Sequence, residues 1–259
     1  MPTIALAIQK GGSGKTTTVI NLAAALQQQN NKVLVVDMDP QANCTQALGI
    51  LEEQELGIYQ LLKKEASGEE INAKNAILVT KAGVDLIPSG LELASAEMEL
   101  VSVYGREQLT RQLLKPLKGV YDYIFIDCPP AIGMLTVNAL VASDYVLMPL
   151  QAEFLPLRGV KSFLRAFSKI KKHIHPQLKL LGFILTKFDR RKSMNRSVLE
   201  QLEQEFGSKV FQTHVRTNIA LAKAQEAGLD IFHFDKNSNG ALDYCQLAQE
   251  LLECISHER

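Results

Sequence analysis

The chain has 259 residues, 28 basic and 28 acidic side chains and a hydrophobic share of 46%. These values suit one soluble α/β domain spanning residues 1–259, with enough apolar sequence for a substantial core. A formal net charge of zero excludes a chain that is cationic throughout, so affinity for nucleic acid or a lipid surface requires a local patch.

Cys44, Cys128, Cys245 and Cys254 form no C-x-x-C pair and read as free thiols of a reducing, cytoplasmic setting. The apolar run 3–8 is too short for the core of a signal peptide. No later run approaches the ~18 apolar residues of a spanning helix.

Residues 3–8 read as a buried parallel strand that enters a glycine-rich loop. From Thr16 the pattern turns helical, with Val19, Leu22, Ala23 and Leu26 on one face. Strands follow at 32–37, 76–80, 84–87 and 121–127, the last ending in Cys128-Pro129-Pro130, which opposes helical continuation. Further strands are expected at 145–150, 180–186 and 210–213, and helices at 159–174, 193–206, 219–227 and 241–255. Residues 50–75, rich in Glu and Lys, read as a surface excursion. Strands alternating with helices predict a doubly wound, mostly parallel sheet covered on both faces.

The loop Lys10-Gly11-Gly12-Ser13-Gly14-Lys15-Thr16-Thr17 lies between the first strand and the first helix. In that context backbone amides and the helix N-terminus form an anion cradle. Lys15 would reach the terminal phosphates of a nucleotide, the Thr16 hydroxyl would coordinate Mg²⁺, and Thr17 could donate to the α-phosphate. Gln9 stands where the usual G-x-x-x-x-G-K-[ST] pattern has its first glycine, and Lys10 adds a charge.

With Lys10, the stretch matches K-G-G-x-G-K-[ST] at every specified position and resembles the deviant-Walker ATPases of the ParA/MinD family. Among the members of that family, the chain looks like the ParA/Soj partitioning ATPases. The resemblance implies a P-loop fold, ATP and Mg²⁺ as ligands, and a lysine that contacts the partner's phosphates across an ATP-bound homodimer. An ammonium between two anionic sites attracts both, which favours dimerisation while the triphosphate is present.

"VVDMDPQAN" (35–43) is similar to the family's first switch motif, with Asp39 as the residue that orients or deprotonates water and meets hydrated Mg²⁺, and Asp37 as its support. "IFIDCPP" (124–130) resembles the Walker B strand and second switch, with Asp127 holding a metal-bound water. Pro40, Pro129 and Pro130 would stiffen loops that respond to the γ-phosphate.

"TKFD" (186–189) superficially matches a guanine-reading signature, but the family has a related stretch there and uses ATP. Its P-R-N segment near the adenine corresponds to Arg216-Thr217-Asn218, so Arg216 and Asn218 are expected near the base, with GTP as the alternative nucleotide.

Between Phe154 and Leu199 the chain holds twelve basic residues and a single acidic one, Asp189. A basic helix face is ordinarily just solvated, but two such segments in a neutral chain point toward a polyanion surface. Arg190, Arg191, Lys192 and Arg196 are the candidate contacts for non-specific DNA. Ala220 stands where the family often has an arginine, and Lys223 could substitute. The tail 244–259 carries an apolar stripe, Leu247, Leu251, Leu252 and Ile255, opposed by Glu250, Glu253 and Glu258. It reads as a packed helix rather than a membrane anchor.

The resemblance therefore implies a nucleoid-associated ATPase that segregates chromosome or plasmid DNA with a ParB-like stimulating partner. Alternatives are a positioning ATPase for a protein cargo such as a carboxysome, or a metabolic ATP-dependent enzyme such as an amidoligase or a dethiobiotin synthetase relative. A nitrogenase-iron-protein relative would need a cluster-holding cysteine pair, and neither Cys44 nor Cys128 matches that placement.

Overall fold

The computed structural model describes residues 1–152 and 157–258. Phe154 lies outside the described residues, as does the side chain of Arg158. In chain order the strands and helices are β1 (Thr3–Leu6), α1 (Lys15–Gln28), β2 (Val33–Asp37), α2 (Asn43–Ala47), α3 (Ile58–Ser67), β3 (Leu78–Val79) and β4 (Asp85–Ile87). Next come α4 (Leu93–Glu99), α5 (Leu109–Leu114), β5 (Tyr123–Asp127), α6 (Met134–Ala142), β6 (Tyr145–Gln151) and α7 (Leu157–His173). The chain closes with β7 (Lys179–Thr186), α8 (Ser193–Phe206), α9 (Ile219–Glu226), α10 (Ile231–Asp235) and α11 (Asn239–Glu258).

The strands form one seven-stranded sheet in the order β3-β4-β2-β5-β1-β6-β7, parallel except for the antiparallel β3–β4 edge. Every residue of β1, β2 and β6 is buried, as expected for continuous apolar strands covered on both faces. Alternation along β1 divides the core. Ala5 and Ala7 face a layer containing Leu61 of α3, Leu113 of α5, Ala139 of α6, Val160 of α7 and Leu202 of α8. Ile4 and Leu6 face the opposite layer, with Val19 of α1, Leu221 of α9, Ile231 of α10 and Leu247 of α11.

Helix α7 buries Val160, Phe163, Phe167 and Ile170 and exposes Lys161, Arg165, Lys169 and Lys172, so its basic side is solvated. The helix stops at His173, one residue short of the expected 159–174, and Ile174 beyond it is 36% exposed. Leu247, Leu251 and Ile255 dock α11 against the core, as the C-terminal apolar stripe suggested. Among the described residues no helix is long and apolar enough to cross a membrane.

Two expectations need correction. Residues 210–213 form no strand; Val210 makes a single parallel bridge to Phe183, beside a chain that then turns toward the site. The 50–75 excursion contains α3, which buries Ile58, Leu61 and Leu62 on one side while its polar residues face solvent. High charge there hid a short amphipathic helix.

Candidate nucleotide site

β1 delivers the chain into the glycine loop from the centre of the sheet, where neighbours β5 and β6 lead to opposite sides. That is the crevice at which doubly wound sheets bind ligands. Gly12 and Gly14 have φ of 71° and 89°, in the left-handed region that favours glycine. A Cβ at Gly11 or Gly12 would meet nothing within 4 Å, so open space lies above the loop. Helix α1 begins at Lys15 with no acidic residue in its first turn, so no side chain of its own offsets its positive end.

Lys15 is buried, and its Nζ donates to the carbonyl of Lys10 at 3.3 Å. Lys10 is half-buried, and its ammonium has no hydrogen bond or ion pair among the described residues. Thr186 at the end of β7 fixes the loop from the other side: its hydroxyl donates to the carbonyl of Ser13 at 2.8 Å, and its methyl would lie 3.3 Å from a Cβ at Gly14. Ser13 Oγ is buried without a partner among the described residues.

Asp37 and Asp127 are register partners on adjacent strands β2 and β5, and both are fully buried. Burial raises both carboxyls above the usual range, and the charge of Asp37 raises Asp127 further. For Asp37 the opposing effect is hydrogen bonding: it accepts from Thr45 Oγ1 at 2.7 Å, Thr45 N–H at 2.9 Å and Asp39 N–H at 3.1 Å. For Asp127 it is the Thr16 hydroxyl, which donates to Oδ2 at 2.6 Å, and the Lys15 charge.

Asp127 Oδ1 is buried and has no partner among the described residues. An orphaned carboxylate oxygen beside a loop threonine hydroxyl fits a hydrated divalent cation, which supplies the missing donor as a bound water. Among the described residues no cluster of three or more His, Cys, Asp or Glu side chains could hold a metal. A cation here would depend on Thr16, phosphate oxygens and water, the coordination preferred by Mg²⁺.

A cavity of about 780 Å³ opens over this centre, lined by residues of the 11–17 loop together with Asp39, Gln41, Arg216, Asn218 and Gln225. Its size falls within the range of ligand pockets, roughly 300–1,000 Å³. Thr17 lies in the lining and donates to Gln225 Oε1 at 3.2 Å. Arg216 also lines the cavity, but its guanidinium is committed to Asp243 of α11 through contacts of 3.0 and 2.6 Å. Asn218 lines it as the cap of α9, its Oδ1 accepting from Ala220 N–H at 2.8 Å. Asp189 is absent from the lining and binds the Arg191 guanidinium through two contacts of 3.0 Å, so the guanine-like reading of 186–189 finds no free carboxylate.

The basic candidates lie apart from this cavity. Arg190, Arg191, Lys192 and Arg196 are all exposed. Arg191 is engaged by Asp189, and Arg196 donates to the carbonyls of Arg190 and Arg191 at 2.9 and 3.2 Å. The side chains of Arg190 and Lys192 make no hydrogen bond or ion pair among the described residues. Lys161 on the neighbouring α7 is partly neutralised by Glu205 at 3.2 Å.

Three residues that bear on the site were not singled out in the sequence, Thr45, Ser89 and Glu97, and Thr186 entered only as part of the guanine-like stretch 186–189. Ser89 Oγ donates to the carbonyl of Asp39, and Glu97 accepts from the amides that open α6. A polar residue in the loop after a parallel strand is a general signal for such a role, and Ser89 in Pro88-Ser89-Gly90 has that position.

Residues 1–180 match the family described as AAA domain. The chain is 39% identical to the sporulation initiation inhibitor protein Soj of Bacillus subtilis, over 96% of this chain and 97% of that protein. It is also 39% identical to the chromosome partitioning protein ParA of Myxococcus xanthus, over 96% of this chain and 87% of that one. A solved structure of cobyrinic acid a,c-diamide synthase from Mycobacterium smegmatis, with bound ADP and magnesium, superposes with a TM-score of 0.86 at 34% identity, covering 100% of this chain and 97% of its own. On the strength of these full-length similarities, the chain belongs to the ParA/Soj family of P-loop ATPases.

Proposed function

We propose that the protein is an ATP- and Mg²⁺-dependent switch that dimerises on ATP, binds DNA without regard to sequence, and segregates DNA with a ParB-like partner that stimulates hydrolysis. The observation that carries this reading is the pair of lysines at the loop. Lys15 is folded inward against it, while Lys10 stays half-exposed with an ammonium that has no partner among the described residues. One charge serves the chain's own nucleotide; the other is available to a second copy's phosphates.

Within one copy, backbone amides of 11–16 and Lys15 hold the phosphates, and the Thr16 hydroxyl and Asp127 hold the hydrated ion. Bound Mg²⁺ neutralises phosphate charge that develops during transfer. Asp39 sits at the cavity wall with its Oδ1 accepting from Gln41 N–H at 3.0 Å and Oδ2 without a partner among the described residues. That free oxygen orients the attacking water. Arg216 and Asn218 contribute to the base end of the cavity. Arg190 and Lys192 supply phosphate contacts to DNA, with Arg191 and Arg196 shaping the loop between them. Two copies in one dimer double the basic surface, and nucleotide state then controls DNA retention through avidity.

The test is fluorescence anisotropy on a random-sequence duplex. ATP should give salt-sensitive binding that ADP does not. Equal binding with ATP, ADP and no nucleotide would contradict the reading.

A second reading is favoured by the 34% identity to the Mycobacterium smegmatis synthase: ATP-dependent amidation of a carboxylate substrate. ATP turnover that requires a carboxylate acceptor and ignores DNA would support it.

A further inference from the structure

The loop after β4 ties itself to the first switch segment and to the helix α2 that follows it. Ser89 Oγ donates to the Asp39 carbonyl at 2.8 Å, and Ser89 N–H donates to Thr45 Oγ1 at 3.0 Å. Thr45 Oγ1 in turn donates a hydrogen bond to Asp37 Oδ2 at 2.7 Å, completing a chain from Ser89 to the buried carboxyl group. The same segment then enters α4, where Glu97 accepts from Met134 N–H at 2.7 Å and Leu135 N–H at 3.1 Å. Those amides open α6, directly after the 128–133 loop that follows Asp127. Gly133 permits the contact, since a Cβ there would lie 2.4 Å from Glu97 Oε1.

We propose that Ser89 and Glu97 are positioning residues: segment 89–97 clamps the Asp39 loop and the loop after Asp127 to one rigid piece of backbone. The inference rests on the ATPase reading and adds to it the device that holds the two carboxylate loops in register. Neither residue lines the cavity, so each acts on the site through the backbone it holds. The backbone of Asp39 is fixed at every polar atom: its N–H donates to Asp37 at 3.1 Å, and its carbonyl accepts from Ala42 N–H at 2.9 Å and from Ser89. The loop also contains Ala42 at φ 52°, a left-handed conformation that a residue with a Cβ rarely adopts without external restraint. Ser89 is a restraint from outside the loop, and Glu97 does the same for the start of α6 with a charge-assisted pair of bonds.

The experiment compares steady-state ATP hydrolysis, ATP affinity and melting temperature for the full chain, Ser89→Ala, Ser89→Thr, Glu97→Ala and the double alanine variant. Each alanine change should lower kcat about three- to tenfold, the equilibrium weight of one hydrogen bond, with KM within about twofold. Ser89→Thr, which keeps the hydroxyl, should recover the wild-type rate. The double variant should fall short of the product of the single effects, because both contacts act through one segment. If Ser89→Ala melts early, Glu97→Ala and the Ser89→Thr rescue carry the comparison. Wild-type kcat in both alanine variants would overturn the clamp alone, as would losses that track melting temperature without rescue. A wild-type chain that does not hydrolyse ATP would overturn the ATPase reading and the clamp with it.

Discussion

The Thr16 hydroxyl donates to Asp127 Oδ2 at 2.6 Å across 111 residues of sequence, joining the first turn of α1 to the end of β5. The other oxygen of Asp127 is buried and unpartnered among the described residues. This asymmetry, one oxygen tied to the loop and one without a partner among the described residues, underlies the first prediction.

Thr16→Ala should weaken ATP binding in Mg²⁺ by about tenfold or more, corresponding to ~1.4 kcal/mol. In EDTA the variant and the wild type should bind alike, because the hydroxyl then has no cation to hold. Isothermal titration with and without Mg²⁺ measures both arms, and an equal loss in EDTA would assign Thr16 a purely structural part.

Lys15→Ala should abolish measurable ATP binding. Its ammonium is buried against the loop, so its loss removes the positive charge held inside the proposed phosphate cradle. Equilibrium dialysis with labelled ATP gives the readout; retained tight binding would contradict the assignment.

The loop was legible in the sequence because its chemistry is local: glycines at left-handed positions, a lysine and a threonine at fixed spacing between a strand and a helix. Asp37 and Asp127 were likewise legible as strand ends. Their adjacency was not, because the pairing of β2 with β5 depends on long-range sheet order rather than on either segment alone. Thr45, Ser89 and Glu97 escaped notice for the same reason. Each is an ordinary polar residue whose meaning comes from a partner 8, 50 or 37 positions away. The 210–213 segment failed as a strand because its contact with the edge strand is short: one bridge at Val210 and one hydrogen bond, from Phe211 N–H to the Phe183 carbonyl at 2.9 Å. The DNA candidates illustrate the opposite limit: composition found the basic segment but not that Arg191 and Arg196 are partly occupied by their own loop.

Replacing Arg190 and Lys192 together with Glu should reduce DNA retention and flatten its salt dependence by about two phosphate contacts. ATP affinity should be unchanged, since neither residue lines the cavity. Anisotropy across a salt series tests this, and an unaltered slope would place the surface elsewhere.

His214 stacks on Phe188 with ring centroids 4.5 Å apart, and its Nε2 is buried without a partner among the described residues. Burial, and then the nearby Arg190 charge, lower its pKa below the ordinary 6.5. The unfolded chain therefore takes up a proton more readily than the native one, so stability should fall as pH drops below 6.5 and toward the lower native pKa. His214→Phe keeps the ring and removes the titration. Its melting temperature should decline less between pH 7 and pH 5 than that of the wild type; an equal decline would remove His214 as a contributor.

Lys10 is the residue on which the proposed cycle depends, and the direct measurement is molar mass by light scattering in ATP and Mg²⁺. Asp39→Ala, which removes the carboxylate proposed to orient water, should trap a particle of twice the monomer mass in ATP and a monomer in ADP. Adding Lys10→Ala to that variant should return the monomer in ATP while leaving ATP binding measurable. A monomeric Asp39→Ala chain at saturating ATP, or a dimer indifferent to Lys10, would contradict the lysine-bridged switch.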